Sequence, residues 1–235
     1  MDDEKWVNMV EDSSNDFAKD VWRTFRERWK TTYDYVPSKD LLQYKEKEPD
    51  QLNESNEHLS FLLTYVTKIS FYAMYDKESY KGGLEMKEAE DWNDRGGLCI
   101  YASVLLYCLL TATGTDIRKL KYIQGYYHYD FPHDSLEKTL FSEGVYGLHA
   151  FLELDGCIID TTIQQLQEYY QNKSDFYIFG KFLKGLNYFG FEEQRQIIIE
   201  YASEISQKRN MTVDEWIYFH YKEAHNLAKY EINKK

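Results

Sequence analysis

His149-Ala150-Phe151-Leu152-Glu153-Leu154-Asp155-Gly156-Cys157-Ile158-Ile159-Asp160 is the stretch whose reading decides the fold. Asp155-Gly156 is a strong two-residue hairpin signal, because a type I′ turn needs positive φ at both central positions and Asp-Gly tolerates that. With those two residues as the loop, Leu154 opposes Cys157 and Phe151 opposes Asp160. Side chains alternate along a strand, so His149, Phe151 and Asp160 share one face, and Ala150, Leu152, Cys157 and Ile159 take the other. His149 and Asp160 become diagonal neighbours, about 7–8 Å apart at the backbone, within reach of an imidazole and a carboxylate. A slip of one residue would separate them.

Upstream of the hairpin, Leu98 to Ala112 is apolar on nearly every side and predicts a buried helix, with Gly114 as its C-cap glycine. Leu120 to Tyr127, β-branched and aromatic in character, predicts a strand, and His128 to Tyr146 a polar loop around Pro132. The first ninety residues read as helical. One helix has Phe17, Val21, Trp22, Phe25 and Trp29 on its apolar face. A second runs from about Ser38 to Lys47 and stops before Pro49, and a third runs from about Ser55 to Tyr75. Gly82-Gly83 and Gly96-Gly97 bracket a polar stretch containing Trp92. Downstream, Phe176–Phe179 and Leu186–Phe189 read as a further strand pair, followed by a helix from about Glu192 to Gln207. A last helix opens with the capping box Thr212-Val213-Asp214-Glu215 and runs to about Tyr230. No internal repeat or low-complexity linker interrupts the chain. The expectation is one α+β domain over residues 1–235: a helical part (1–90), a catalytic core (91–190) and C-terminal helices (191–235).

Composition narrows the function. The chain has 235 residues, 43% hydrophobic and 17% aromatic, enough to bury a sizeable core. A net charge of −12 repels phosphate backbones and anionic lipid, so neither nucleic acid nor membrane is an expected partner. No apolar run is long enough to span a bilayer, and Met1-Asp2-Asp3-Glu4-Lys5 lacks the basic-then-apolar layout of a secretory signal. Three cysteines form an odd count without close pairing, which argues against a disulfide framework and for a reducing cytoplasm.

Cys99 stands at the start of the buried helix, just after Gly96-Gly97. Unpaired backbone N–H groups and the helix dipole favour an anion there, so the position lowers a thiol pKa and makes the nucleophilic thiolate more available. A cysteine at a helix start, a histidine on a strand and an aspartate orienting that histidine are the parts of nucleophilic acyl chemistry. Cys99, His149 and Asp160 are therefore the candidate catalytic residues, and Trp92 is a candidate wall of the substrate cleft. Each has a plainer reading: Cys99 as a small core residue, His149 as a satisfied core histidine, Asp160 as the cap of a helix starting near Thr162, and Trp92 as simple packing. Cys108, on the opposite side of the helix, and Cys157, on the other hairpin face, read as inert. His128 and His133 with Asp130 or Asp134 make a weak metal set. His220 and His225 do not share a helix face well. No cofactor and no metal are expected.

Gly97-Leu98-Cys99-Ile100-Tyr101-Ala102, Gly125-Tyr126, His149-Ala150-Phe151-Leu152-Glu153 and Asp160-Thr161-Thr162 together resemble the core of the transglutaminase-like superfamily. There the corresponding pattern is G-x-C-x-x-(A/F), a strand ending in G-Y, H-A-W-x-E and D-P-T. The resemblance covers about residues 92–163 and implies a papain-like fold with Cys99 as nucleophile, His149 as base and Asp160 as orienting acid. Phe151 replaces the usual Trp and Thr161 the usual Pro. Asp94-Arg95-Gly96-Gly97-Leu98-Cys99 is similar, in second place, to the R-G-G-x-C segment of arylamine N-acetyltransferases. The stretch from Cys99 to His149 is longer than that family's gap, however, and its D-V-G-F-G ending is absent. The expected activity is attack by a cysteine nucleophile on an amide of a protein, peptide or small molecule. The alternatives are an acetyltransferase-like acyl transfer and a non-catalytic interaction module that keeps the fold.

Overall fold

The run from Leu98 to Ala112 forms a 15-residue helix in which eleven residues are buried, as its all-round apolar character predicts. Its end is a Schellman motif. Gly114, at φ 91°, takes the left-handed position that a side chain would resist, Thr115 N–H donates to the Leu110 carbonyl and Gly114 N–H to that of Thr111. The computed structural model describes residues 42–49, 57–75, 83–131, 144–168 and 176–232. The expected helix bearing Phe17 to Trp29 lies outside them.

Among the described residues the chain is mixed α/β, with five α-helices and a six-stranded antiparallel sheet. The elements are β1 (Leu42–Tyr44), α1 (Glu57–Tyr75), α2 (Leu84–Asn93), α3 (Leu98–Ala112), β2 (Leu120–Tyr129), β3 (Val145–Leu154) and β4 (Cys157–Asp160). A 3-10 turn (Ile163–Glu168), β5 (Ile178–Phe179), β6 (Leu186–Glu192), α4 (Arg195–Gln207) and α5 (Val213–Ile232) follow. The strand order is β1-β6-β2-β3-β4-β5. The chain divides into two compact units, with β2 and β3 contributing residues to both.

Among the described residues, the first unit takes residues 42–46, Ile123–Ala150 and Phe182–Glu192. Here β6 pairs with β1 on one side (Leu42↔Gly190) and with β2 on the other (Gly125↔Gly190). Two glycines face each other at this last pair because the backbones leave no room for a side chain. A Cβ on Gly125 would lie 2.0 Å from the Phe189 carbonyl oxygen. Beside them Tyr126 and Phe189, directly paired, stack their rings at 4.9 Å.

The second unit takes Lys47–Tyr122, Phe151–Lys181 and Glu193–Lys235. In it α3 packs against α1, α2, α4 and α5. The hairpin register is the expected one. Leu154 opposes Cys157, Leu152 opposes Ile159, and Asp155 and Gly156 carry φ of 53° and 85°. The capping box of α5 also forms. Thr212 Oγ1 accepts from Glu215 N–H at 3.2 Å, and Glu215 Oε2 accepts from Thr212 N–H at 2.8 Å. Those bonds hold the Glu215 carboxyl below its ordinary value.

Some of these expectations are corrected. Within the expected second helix, Leu42–Tyr44 is an edge strand and residues 45–49 have no helix, because pairing with β6 overrides local preference. The helical reading of the first ninety residues holds at α2, which continues past residue 90 through Trp92 and whose buried side includes Glu85 and Glu88. Val145–Tyr146 and His128–Tyr129 extend the strands into the expected loop. The segments at 176–179 and 186–189 do not pair with each other: β5 pairs with β4, and β6 with β1 and β2. Glu192 ends β6, so α4 starts later, at Arg195.

Glu88 ties the helices of this unit together. Its Oε2 accepts from Tyr101 Oη (3.1 Å), Trp216 Nε1 (3.0 Å) and His220 Nε2 (2.9 Å), and its Oε1 accepts from Arg209 Nε (3.0 Å). Tyr65 Oη completes the set at 2.7 Å from His220 Nδ1. Burial works against the charge, but hydrogen bonds and charge from His220, with Trp216 and Arg209, outweigh it and hold the Glu88 carboxyl below its ordinary 4.5. Burial and the charge on Glu88 push the Tyr101 phenol well above 10.0. A depressed folded-state pKa contributes stability that is present above the unfolded value, near 4.5, and lost as pH falls through the lower folded value. We expect Glu88→Gln to lose about 3–5 kcal/mol at neutral pH, since it leaves buried partners uncompensated. The gap from wild type should narrow below pH 4.5, as urea denaturation against pH would measure. A constant gap down to acid pH would contradict the assignment.

Candidate active site

Cys99 is the second residue of α3 and is 6% exposed. Its position follows from the turn before it. The α2 helix ends at Asn93, Gly96 turns the chain at φ 67°, and Gly97 N–H donates back to the Trp92 carbonyl at 2.8 Å. Gly97 is then the N-cap of α3 and, as a glycine, supplies no side-chain cap. Glycine is required there because a Cβ would lie 2.7 Å from Cε3 of the Trp92 ring. The result is a thiol in the first turn of an all-buried helix, at the positive end of its dipole.

Trp92, the expected cleft wall, is half-buried. Its ring lies over Gly97, stacks on Tyr101 at 6.5 Å, meets Tyr201 edge-on at 6.3 Å and has Lys208 Nζ 5.5 Å from its centroid. These contacts fix the turn that delivers Cys99.

Asp160 ends β4 and is 1% exposed. Its Oδ1 accepts from Thr162 N–H at 2.9 Å and from Thr162 Oγ1 at 3.1 Å. Asp160 therefore closes the turn into the 3-10 segment, the capping role its position in the sequence allows. Glu153, the acid of the His149-Ala150-Phe151-Leu152-Glu153 motif, pairs with Lys121 at 2.8 Å across the sheet.

His149 belongs to the first unit and is 4% exposed, whereas Cys99 and Asp160 belong to the second. Its imidazole meets the Tyr127 ring edge-on at 5.3 Å and lies 6.3 Å from that of Tyr188, the residue paired with Tyr127 across β2 and β6. Gly147 makes room for this arrangement, since a Cβ there would lie 2.5 Å from Tyr127 Oη. The imidazole thus packs within an aromatic cluster with Tyr127 and Tyr188.

The two other thiols differ from Cys99. Cys157 is buried in the hairpin, paired with Leu154. Cys108 lies farther along α3, and desolvation pushes its thiol up to about 12. All three cysteines are thiols rather than disulfides. Among the described residues no group of three His, Cys, Asp or Glu side chains is arranged to hold a metal ion, and His133 and Asp134 lie outside them. No helix described is long and apolar enough to cross a membrane.

The polar group that sequence reading missed is Glu88 with Tyr65, Arg209, Trp216 and His220. A signal was present in α5, where Trp216, His220 and Ala224 recur every four residues and all are buried. A histidine on such an apolar stripe needs an internal partner. Elsewhere in this unit a groove of about 640 Å³ opens between the end of α3, at Thr113 and Gly114, and Ile217, Tyr218 and Tyr221 of α5. No protein-family model matches the chain, and no curated protein or solved structure does.

Brief alkylation with iodoacetamide at pH 7.5, followed by peptide mapping, should label Cys99 ahead of Cys108 and Cys157. The raised thiol of Cys108 slows it, and Cys157, equally buried, lies on a strand without the helix N-terminus that Cys99 has. Equal protection of all three would count against a nucleophile.

Proposed function

We propose that the protein is a cysteine-nucleophile enzyme acting on an amide, with a papain-like core of the transglutaminase-like type. The observation that carries this reading is the setting of Cys99: a thiol in the first turn of a buried helix whose N-cap is a glycine. The helix dipole and N-terminal N–H groups favour both the thiolate and the oxyanion that forms beside it. The four motifs in family order, from Gly97-Leu98-Cys99 to Asp160-Thr161-Thr162, supply His149 and Asp160 as its partners.

In the proposed reaction His149 takes the proton of the Cys99 thiol, and the thiolate sulfur attacks the amide carbonyl carbon. Collapse of the tetrahedral intermediate breaks the C–N bond, and the amine leaves with the proton carried by His149. Water then resolves the thioester in hydrolysis or deamidation; an amine resolves it in acyl transfer. Asp160 holds the imidazole tautomer and stabilises the imidazolium. Chemistry of this kind fits a reducing compartment such as the cytoplasm.

Once screening of amides, esters and thioesters gives a substrate, Cys99→Ala should abolish turnover and His149→Ala nearly so. Asp160→Asn should lower kcat by about 10²–10⁴-fold with the fold intact. The Cys99→Ala/His149→Ala double variant should be scarcely worse than Cys99→Ala alone, because such units are strongly non-additive. Near wild-type turnover in a folded Cys99→Ala protein would end the thiol hypothesis.

A further inference from the structure

We propose that Thr162 is a positioning residue that holds the Asp160 carboxylate in its working orientation; the inference rests on the triad reading above. Both residues are 1% exposed, so protein donors must serve this carboxylate. Thr162 directs its backbone N–H and its hydroxyl to the same oxygen, Oδ1, at 2.9 and 3.1 Å. Two donors converging on one oxygen fix the rotation of the carboxyl plane.

Thr162 can do this because its own backbone is clamped. Its carbonyl accepts from Gln165 N–H at 3.0 Å, which opens the 3-10 turn. The next residue but one, Gln164, is fully buried. Its carbonyl accepts from Tyr75 Oη at 2.6 Å, and its Nε2 donates to the Phe176 carbonyl at 2.9 Å and that of Thr67 at 3.4 Å. The turn is thus anchored to α1 on one side and to the approach to β5 on the other. A cap alone needs only the N–H of residue 162 on the Asp160 oxygen, which a residue of any type supplies. The hydroxyl adds a second donor beyond that need. The departure from the family pattern at Thr161 leaves this Asp160–Thr162 link in place.

The test measures the rate of iodoacetamide labelling of Cys99 against pH, by peptide mapping of the full chain, with thermal unfolding alongside. If Asp160 supports the imidazolium that pairs with the thiolate, Asp160→Asn should raise the pH of half-maximal labelling, and His149→Ala should raise it further. Thr162→Val, which removes only the hydroxyl donor, should raise it in the same direction by about half a unit or more. Thr162→Ser, which restores the donor, should keep the wild-type midpoint. Asp160→Asn/Thr162→Val should shift no further than Asp160→Asn alone, since Thr162 acts through Asp160. A purely structural cap would lower the melting temperature of Thr162→Val and leave the midpoint in place, and that result would overturn the inference. If Thr162→Val does not fold, Thr162→Ala is read against Thr162→Ser by the same criterion. If His149→Ala leaves the Cys99 midpoint at its wild-type value, the triad reading fails first; a shift with His149→Ala but none at Thr162 rejects Thr162 alone.

Discussion

A buried carboxylate that must be satisfied constrains the helical unit more than any other group described. Glu88, 4% exposed at its side chain, has donors from four further points of the chain: Tyr101 on α3, Arg209 in the turn between α4 and α5, and Trp216 and His220 on α5. Tyr65 on α1 joins through His220. An unpaired charge in such a place would be costly, so the helices have to arrive together with these side chains in register. Apolar residues of similar volume could give comparable stability, but they would tolerate sliding of one helix over another. The hydrogen-bond geometry does not tolerate it, and the carboxylate thereby sets the packing of α3, the helix that begins at Cys99.

The same logic operates on a smaller scale in the turn before α3. Trp92 lies over Gly97 and stacks on Tyr101, whose hydroxyl reaches Glu88. Lys208 and Arg209, adjacent in the α4–α5 turn, approach Trp92 and Glu88 respectively. The glycine pair, the tryptophan and the carboxylate are one mechanical assembly, with Cys99 two residues from the tyrosine at its centre. Cys99 is itself buried, at the positive end of the helix dipole.

In the sheet, steric constraints act alongside the Lys121–Glu153 pair. Gly125 and Gly190 face each other where backbone approaches backbone, and Gly147 leaves room for the Tyr127 ring that bears on His149. The hairpin closes through a left-handed Asp155-Gly156 turn, and its far end carries Asp160 into a turn secured by Thr162. Each candidate residue therefore belongs to a locally enforced feature: a helix start, an aromatic cluster or a strand end.

Local rules made part of this legible in the sequence. The buried helix Leu98–Ala112 with its Gly114 cap, the Asp155-Gly156 hairpin register and the Thr212–Glu215 capping box all depend on residues within a few positions of one another, so a linear reading suffices. Cys99, His149 and Asp160 stood out for the same reason, through motif order and strand alternation. What only the tertiary structure decided is long-range. Leu42–Tyr44 became a strand because β6 offered it hydrogen bonds, and β5 paired with β4 rather than with β6. The bounds and inward face of α2 were not legible, because that face carries Glu85 and Glu88, which hydropathy counts as outward-facing. Only the arrival of Tyr101, Arg209, Trp216 and His220 from distant parts of the chain makes Glu88 a core residue, and no spacing within the sequence encodes that meeting.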